Sequence, residues 1–148
     1  MAVNSIREQI LQAIVSVLTP VATDQAATVW RTPSVAITRE QCPSLVVFPE
    51  SESLAERAND RVTRELTVRI TAVARAVPPD IAETQADALL CAAHAALMVD
   101  INLGGLALGV REVESEWEVD DADGVAASTS ARYQITFRTL IADISIQA

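Results

Sequence analysis

The sequence predicts an α+β domain, a mostly antiparallel sheet with two main helices packed on one face. Three observations predict it. Residues 62–75 (VTRELTVRITAVAR) alternate over fourteen residues, with Val62, Leu66, Val68, Ile70, Ala72 and Ala74 on one side and Thr63, Glu65, Thr67, Arg69, Thr71, Val73 and Arg75 on the other. That period of two marks a strand with one face buried. Two stretches, 5–18 and 80–99, instead carry apolar residues at helical spacing and can cover that face. The tail of the chain reads as an acidic strand, a turn and a last strand, which is a hairpin.

Each element has a local cause. Ser5 and Glu8 form a capping box that opens the first helix, and Ile6, Ile10, Ala13, Ile14, Val17 and Leu18 are its stripe. Pro20 is expected to end it. In residues 20–44 the signals are short: 27–31 and 34–39 are candidate strands. Residues 44–48 (SLVVF), between Pro43 and Pro49, form a continuous apolar run that suits a strand buried on both faces. The charged stretch 50–61 (ESESLAERANDR) is expected to be a solvated connection, longer than an ordinary hairpin loop. The central strand 62–75 follows and stops at Pro78-Pro79.

The second helix, 80–99, offers Ile81, Ala86, Leu89, Leu90, Ala93 and Leu97 as its buried stripe and leaves through Asp100-Ile-Asn-Leu-Gly-Gly-Leu106. Residues 109–120 alternate again, with Arg111, Val113, Ser115, Trp117 and Val119 against Glu112, Glu114, Glu116 and Glu118. Residues 120–127 are expected to be a turn and 128–141 the last strand. With 148 residues and no linker or repeat, residues 1–148 make a single domain.

Half of the residues are apolar and only 3% aromatic, so Ala, Val, Ile and Leu must fill the core. The net charge of −9 lowers the expectation of nucleic-acid binding, because phosphates are held by basic side chains. All the basic residues are arginine. The two cysteines, Cys42 and Cys91, are expected to be free, buried thiols in a reducing compartment. The N-terminus lacks the pattern of a secretory signal, and no apolar run reaches the roughly 20 residues that span a bilayer. The expectation is a protein made in the cytoplasm and not held in a membrane.

No catalytic or metal constellation emerges, and no cofactor is expected. Asp87, Cys91 and His94 are spaced i, i+4, i+7 on the second helix and share a face. A nucleophile pair or a metal site could use such a stripe. The simpler reading makes Cys91 a small core residue, and His94 is the only histidine, so the ligand set is incomplete. Asp120-Asp-Ala-Asp-Gly124 resembles a calcium loop, but alignment on Gly124 puts Val119 and Ser130 at the first and last ligand positions. Gly104-Gly105 follows a helix and has no lysine, unlike a phosphate loop. The acidic row 112–118 needs arginines opposite it. Arg132 and Arg138 have the parity for that, and a neighbouring subunit is the alternative. Trp30 and Trp117 are candidate interface anchors, with core equally open for Trp117.

The whole layout resembles the tail terminator (tail completion, minor tail) proteins of tailed phages, of the lambda U type. The residues that carry the resemblance are the opening helix with Ile10 and Ile14, the strand Pro43 to Pro49 and the Arg-bearing strand 62–75. They continue with the helix running into Leu103-Gly-Gly-Leu106, the acidic strand, and the closing Tyr133-Gln-Ile-Thr-Phe-Arg-Thr139. Such proteins commonly close on a proline-ending segment, which Asp143-Ile-Ser145 lacks.

The resemblance implies a structural protein of the virion, not an enzyme. It implies a ring homo-oligomer, usually a hexamer, that caps the tail tube, stops its growth and offers a surface to the head–tail connector, with DNA passing through the lumen unbound. The residues expected at its interfaces are Glu56, Arg57, Asp60, Arg61, Arg69, Arg75, Trp117, Asp120, Asp121 and Asp123. The alternatives are another connector or a tail tube subunit and, less in keeping with the pattern, a small cytoplasmic ligand-binding module or enzyme.

Overall fold

The computed structural model describes residues 3–33, 37–77, 79–120 and 125–148, with the side chains of Arg39, Val119, Asp120 and Val125 left aside. It is α+β, as the patterning predicts. The elements run α1 (Ile6–Asp24), β1 (Thr28–Arg31), β2 (Ser44–Ala58), β3 (Arg61–Ala76), α2 (Ala82–Val99), β4 (Gly109–Asp120) and β5 (Val125–Leu140). The strands make one sheet in the order β1-β2-β3-β5-β4. Only β1 and β2 run parallel; every other pair is antiparallel. Both helices lie on the same face. There Ile10, Ile14, Leu18, Leu89 and Leu97 meet Leu45, Val47, Val68, Ile70, Tyr133, Ile135 and Phe137 in one core.

Ser5 caps α1, accepting from the Glu8 N–H at 3.2 Å, but only this half of the capping box forms, since the Glu8 carboxylate accepts from Gln12 and Arg31 instead of reaching back to Ser5. Pro20 does not end the helix, which continues to Asp24. Proline frees the carbonyl four residues back, here that of Ser16, which is exposed and can be hydrated. Ala22 meanwhile extends the stripe one turn beyond Leu18 into the core. Tertiary burial thus outweighs a local stop signal. The Glu8–Arg31 pair, 2.5 and 2.6 Å, ties α1 to β1. Arg31 holds the Glu8 carboxyl below its ordinary range.

The largest departure from expectation is in residues 50–61. They are not a loop. β2 runs to Ala58, pairs with β3 along its whole length and turns through Asn59 and Asp60 alone. Asn59 has φ +56°, a conformation asparagine tolerates. Two bulges, at Glu50 and Ala55, break the alternation that would otherwise have revealed the strand. Pro49 fits inside it because β1 pairs only with Ser44–Val47, leaving β2, among the described residues, as a sheet edge from Phe48 onward. The expected run 44–48 is buried over Ser44–Val47, whereas Phe48, its last residue, is only half-buried.

β1 falls within the first candidate strand. The second candidate, 34–39, lies partly outside the described residues, and Arg39–Gln41 form a 3-10 turn. β5 begins at Val125, earlier than expected, and the turn before it lies outside the described residues. Both cysteines are free, but the expected burial is wrong: Cys42 is half-buried and Cys91 is exposed. Burial pushes the Cys42 thiol up, while Arg75 beside it works the other way. In α2 the stripe is shifted: Ala82 takes the core position, and Ile81 is exposed.

The segment after α2 turns on glycine. Gly104 and Gly105 have φ of +71° and +96°. Asp100 accepts from the Asn102 and Gly104 N–H groups at 3.0 and 2.8 Å. A Cβ at Gly105 meets no atom within 4 Å, so only backbone strain opposes a side chain there. Gly105→Ala is expected to lower stability by about 1 kcal/mol, read from urea unfolding.

Candidate functional site on the open face of the sheet

The face of the sheet away from the helices carries four of the eight ion pairs found among the described residues. β3 contributes Arg61, Thr63, Glu65, Thr67, Arg69, Thr71, Val73 and Arg75, every second residue of the strand. Opposite them β5 places Arg132, Ser130 and Ser128, and β4 adds Glu114, Glu116 and Glu118. A single bulge at Val113 divides the acidic row. Glu112 turns to the helix side, and the other three stay on the open side. The row therefore contains three neighbouring carboxylates rather than four.

Arg132 answers them. Its guanidinium meets Glu50 at 2.6 Å, Glu116 at 3.0 Å and Glu114 at 3.5 Å. Hydrogen bonds to Glu50 and then Glu116 raise its already high pKa. Cross-strand pairing is thus realised for Arg132. Arg138 does not join it: it reaches Thr63 at 3.3 Å, several rows away from the acids. Glu50 was not foreseen as a member of the cluster, because it sits on a bulge whose parity no pattern betrays.

The same face holds an open trough of about 560 Å³. Its floor is Val46, Thr71, Val73, Ser128 and Ser130. Pro33, Ile37 and Phe48 stand on one side, and Glu116, Trp117 and Glu118 on the other. Arg69 and Arg75 line it too. Arg69 lies 4.7 Å above the Phe48 ring and 3.9 Å from Glu50. Trp117 is not in the core; it is 63% exposed at the sheet edge. Trp30 is half-buried and donates its indole N–H to Ser44 at 3.1 Å.

The expected interface residues therefore fall into two groups. Arg69 and Arg75 come together at the trough, whereas Trp117, which borders it along β4, pairs with Thr129 and so points to the other side of the strand from Glu116 and Glu118. Glu56, Arg57, Asp60 and Arg61 come together at the exposed tip of the β2–β3 hairpin. Asp120 closes β4 near the trough, whereas Asp121 and Asp123, with the supposed calcium loop, lie outside the described residues.

A second polar cluster lies on the helix side. His94 Nδ1 is 2.7 Å from the Tyr133 hydroxyl and 3.1 Å from Glu112. The Val113 bulge is what aims Glu112 there. Asp87 and Cys91, the other members of the α2 stripe, are exposed, so His94 turns inward away from the ligand set the spacing suggested. Among the described residues no three His, Cys, Asp or Glu side chains are placed to hold a metal ion. Among them also, no helix is long and apolar enough to cross a membrane.

Burial, and secondarily the Glu112 carboxylate, hold the Tyr133 phenol above its ordinary pKa. The unfolded chain ionises near pH ~10. Stability is therefore fully present below that pH and is lost as pH rises above it. Tyr133 is the only tyrosine. Phenolate absorbance is accordingly expected to appear together with unfolding in an alkaline titration, not before it. Tyr133→Phe is expected to cost about 1 kcal/mol, the net value of one hydrogen bond, in a urea titration at neutral pH.

No protein-family model matches the chain, and no curated protein matches its sequence.

Proposed function

We propose that this protein is a ring-forming structural component of a phage tail, a tail terminator that caps the tube and presents a joining surface to the head. One observation carries the reading. The helices cover only one face of the sheet, while the other face is charged and open and both flanks of the sheet keep long unpaired strand edges. Among the described residues β4 has β5 as its sole partner over twelve residues, and β2 has no outer partner from Phe48 onward. Unpaired edges are templates for another chain.

Symmetry favours a ring over a two-fold dimer. Pairing β4 with its own copy across a two-fold axis would set Glu114, Glu116 and Glu118 against the same residues, and like charges directly opposite destabilise a sheet. A heterologous contact, edge against a different surface, avoids that and closes into a ring when the rotation allows. On the open face Arg69 and Arg132 pair with Glu50, Glu114 and Glu116, while Arg75 and Glu118 have no such pair among the described residues, which suits a docking surface. The family resemblance of the whole layout supplies the identity of the ring; the physics supplies its plausibility as an assembly unit.

The test is light scattering over a concentration series, with and without tail tube protein. A discrete ring near six subunits, or assembly confined to tube ends, is the expected result. Growth into long tubes would make the chain a tube subunit instead. A monomer at every concentration that ignores tube ends would overturn the reading.

A further inference from the structure

We infer that the tip of the β2–β3 hairpin of one copy docks into the open-face trough of the next. The inference rests on the ring reading and names the two surfaces that meet.

The tip carries alternating charges, Glu56, Arg57, Asp60 and Arg61, all exposed. Among the described residues none of the four has an opposite charge within 4 Å. The trough has the same mixed character, with Arg69 and Arg75 along β3 and Glu116 and Glu118 along β4. Among the described residues Arg75 and Glu118 have no opposite charge within 4 Å either. Tip arginines against Glu118 and tip carboxylates against Arg75 would neutralise both sets. Phe48 and Val73, which line the trough, supply the apolar area that charge alone does not.

Neither surface can satisfy itself. Arg61 pairs across from Leu140, whereas the row of Glu118 is Ser128 and Val73. The two rows are twelve residues apart on β3. At roughly 3.3 Å per residue that is about 40 Å, several times the ~8 Å over which charges interact in physiological salt. The hairpin and the trough lie at opposite ends of one rigid sheet, so the tip can meet a trough only on another molecule. The contact is head to tail, the kind that closes into a ring.

The experiment compares the full chain with R57E/R61E and with E118R by light scattering. Circular dichroism serves as the folding control, and both sites are exposed. Each variant alone is expected to assemble on the order of tenfold more weakly, as for close interfacial charge pairs. An equimolar mixture of the two is expected to recover assembly, since alternating copies restore opposite charges at every contact.

If both variants assemble like the parent chain, the contact is overturned and the ring reading stands. If the mixture assembles no better than the single reversals, the contact is likewise overturned. If the reversals leave self-assembly intact and abolish only tube-end binding, the trough takes the tube protein and not a second copy. If the parent chain never assembles, alone or on tubes, both readings fall together.

Discussion

Replacing Phe137 with alanine is expected to cost about 3–5 kcal/mol, a large part of the roughly 5–15 kcal/mol by which a domain is stable. Phe137 is 1% exposed in β5 and belongs to the core that α1 and α2 share with the sheet. Aromatics make up only 3% of the chain. The other core side chains are mostly Ala, Val, Ile and Leu held in strands and helices. They cannot swing in to fill a ring-sized void, so the cavity term adds to the lost transfer energy. Urea unfolding measures the change. A loss below about 1 kcal/mol would mean that the site collapses, contrary to the packing described.

Replacing Arg64 with alanine is expected to cost about 3 kcal/mol. Arg64 lies on the helix side of β3, at a position where the alternation demands an apolar residue. Its guanidinium meets Glu52 at 2.9 Å and Thr139 at 3.1 Å, with the two charged side chains only 12% and 13% exposed. Arg7 from α1 reaches the same Glu52 oxygen at 2.8 Å, and the other oxygen of Glu52 is buried without a partner among the described residues. Without Arg64 the carboxylate stays desolvated beside a single, half-exposed Arg7. Removing a buried partner costs more than the pair contributes, so the double variant E52A/R64A is expected to be no less stable than R64A. A double-mutant cycle in urea tests this. Additive losses from the two single variants would show that the groups are solvated independently.

Much of the architecture was legible because it depends on periodicity. The stripe of α1, the alternation of β3 and the apolar run Ser44–Val47 each state which face is buried, and burial then dictates the partners. The α+β class follows from them. The trough residues Arg69 and Arg75 were legible for the same reason, since the polar side of a half-buried strand must face away from the helices.

What escaped sequence reasoning was where the period breaks. The bulges at Glu50, Ala55 and Val113 each insert one residue, and one residue reverses every side chain beyond it. Hence the outer half of β2 read as a loop, and Glu112 read as one of four aligned acids. Pro20 likewise read as a terminus because the burial of Ala22, which carries the helix past it, is a property of the packed molecule.

By itself, then, the sequence determined the elements, their inward faces and the one-sided layering of helices on sheet, since these follow from spacing along a single chain. Tertiary structure alone decided the hub at Arg132, the turning of Glu112 toward His94 and the separation of hairpin tip from trough. Those depend on register between strands distant in the sequence, and register is set by contacts that no local pattern encodes.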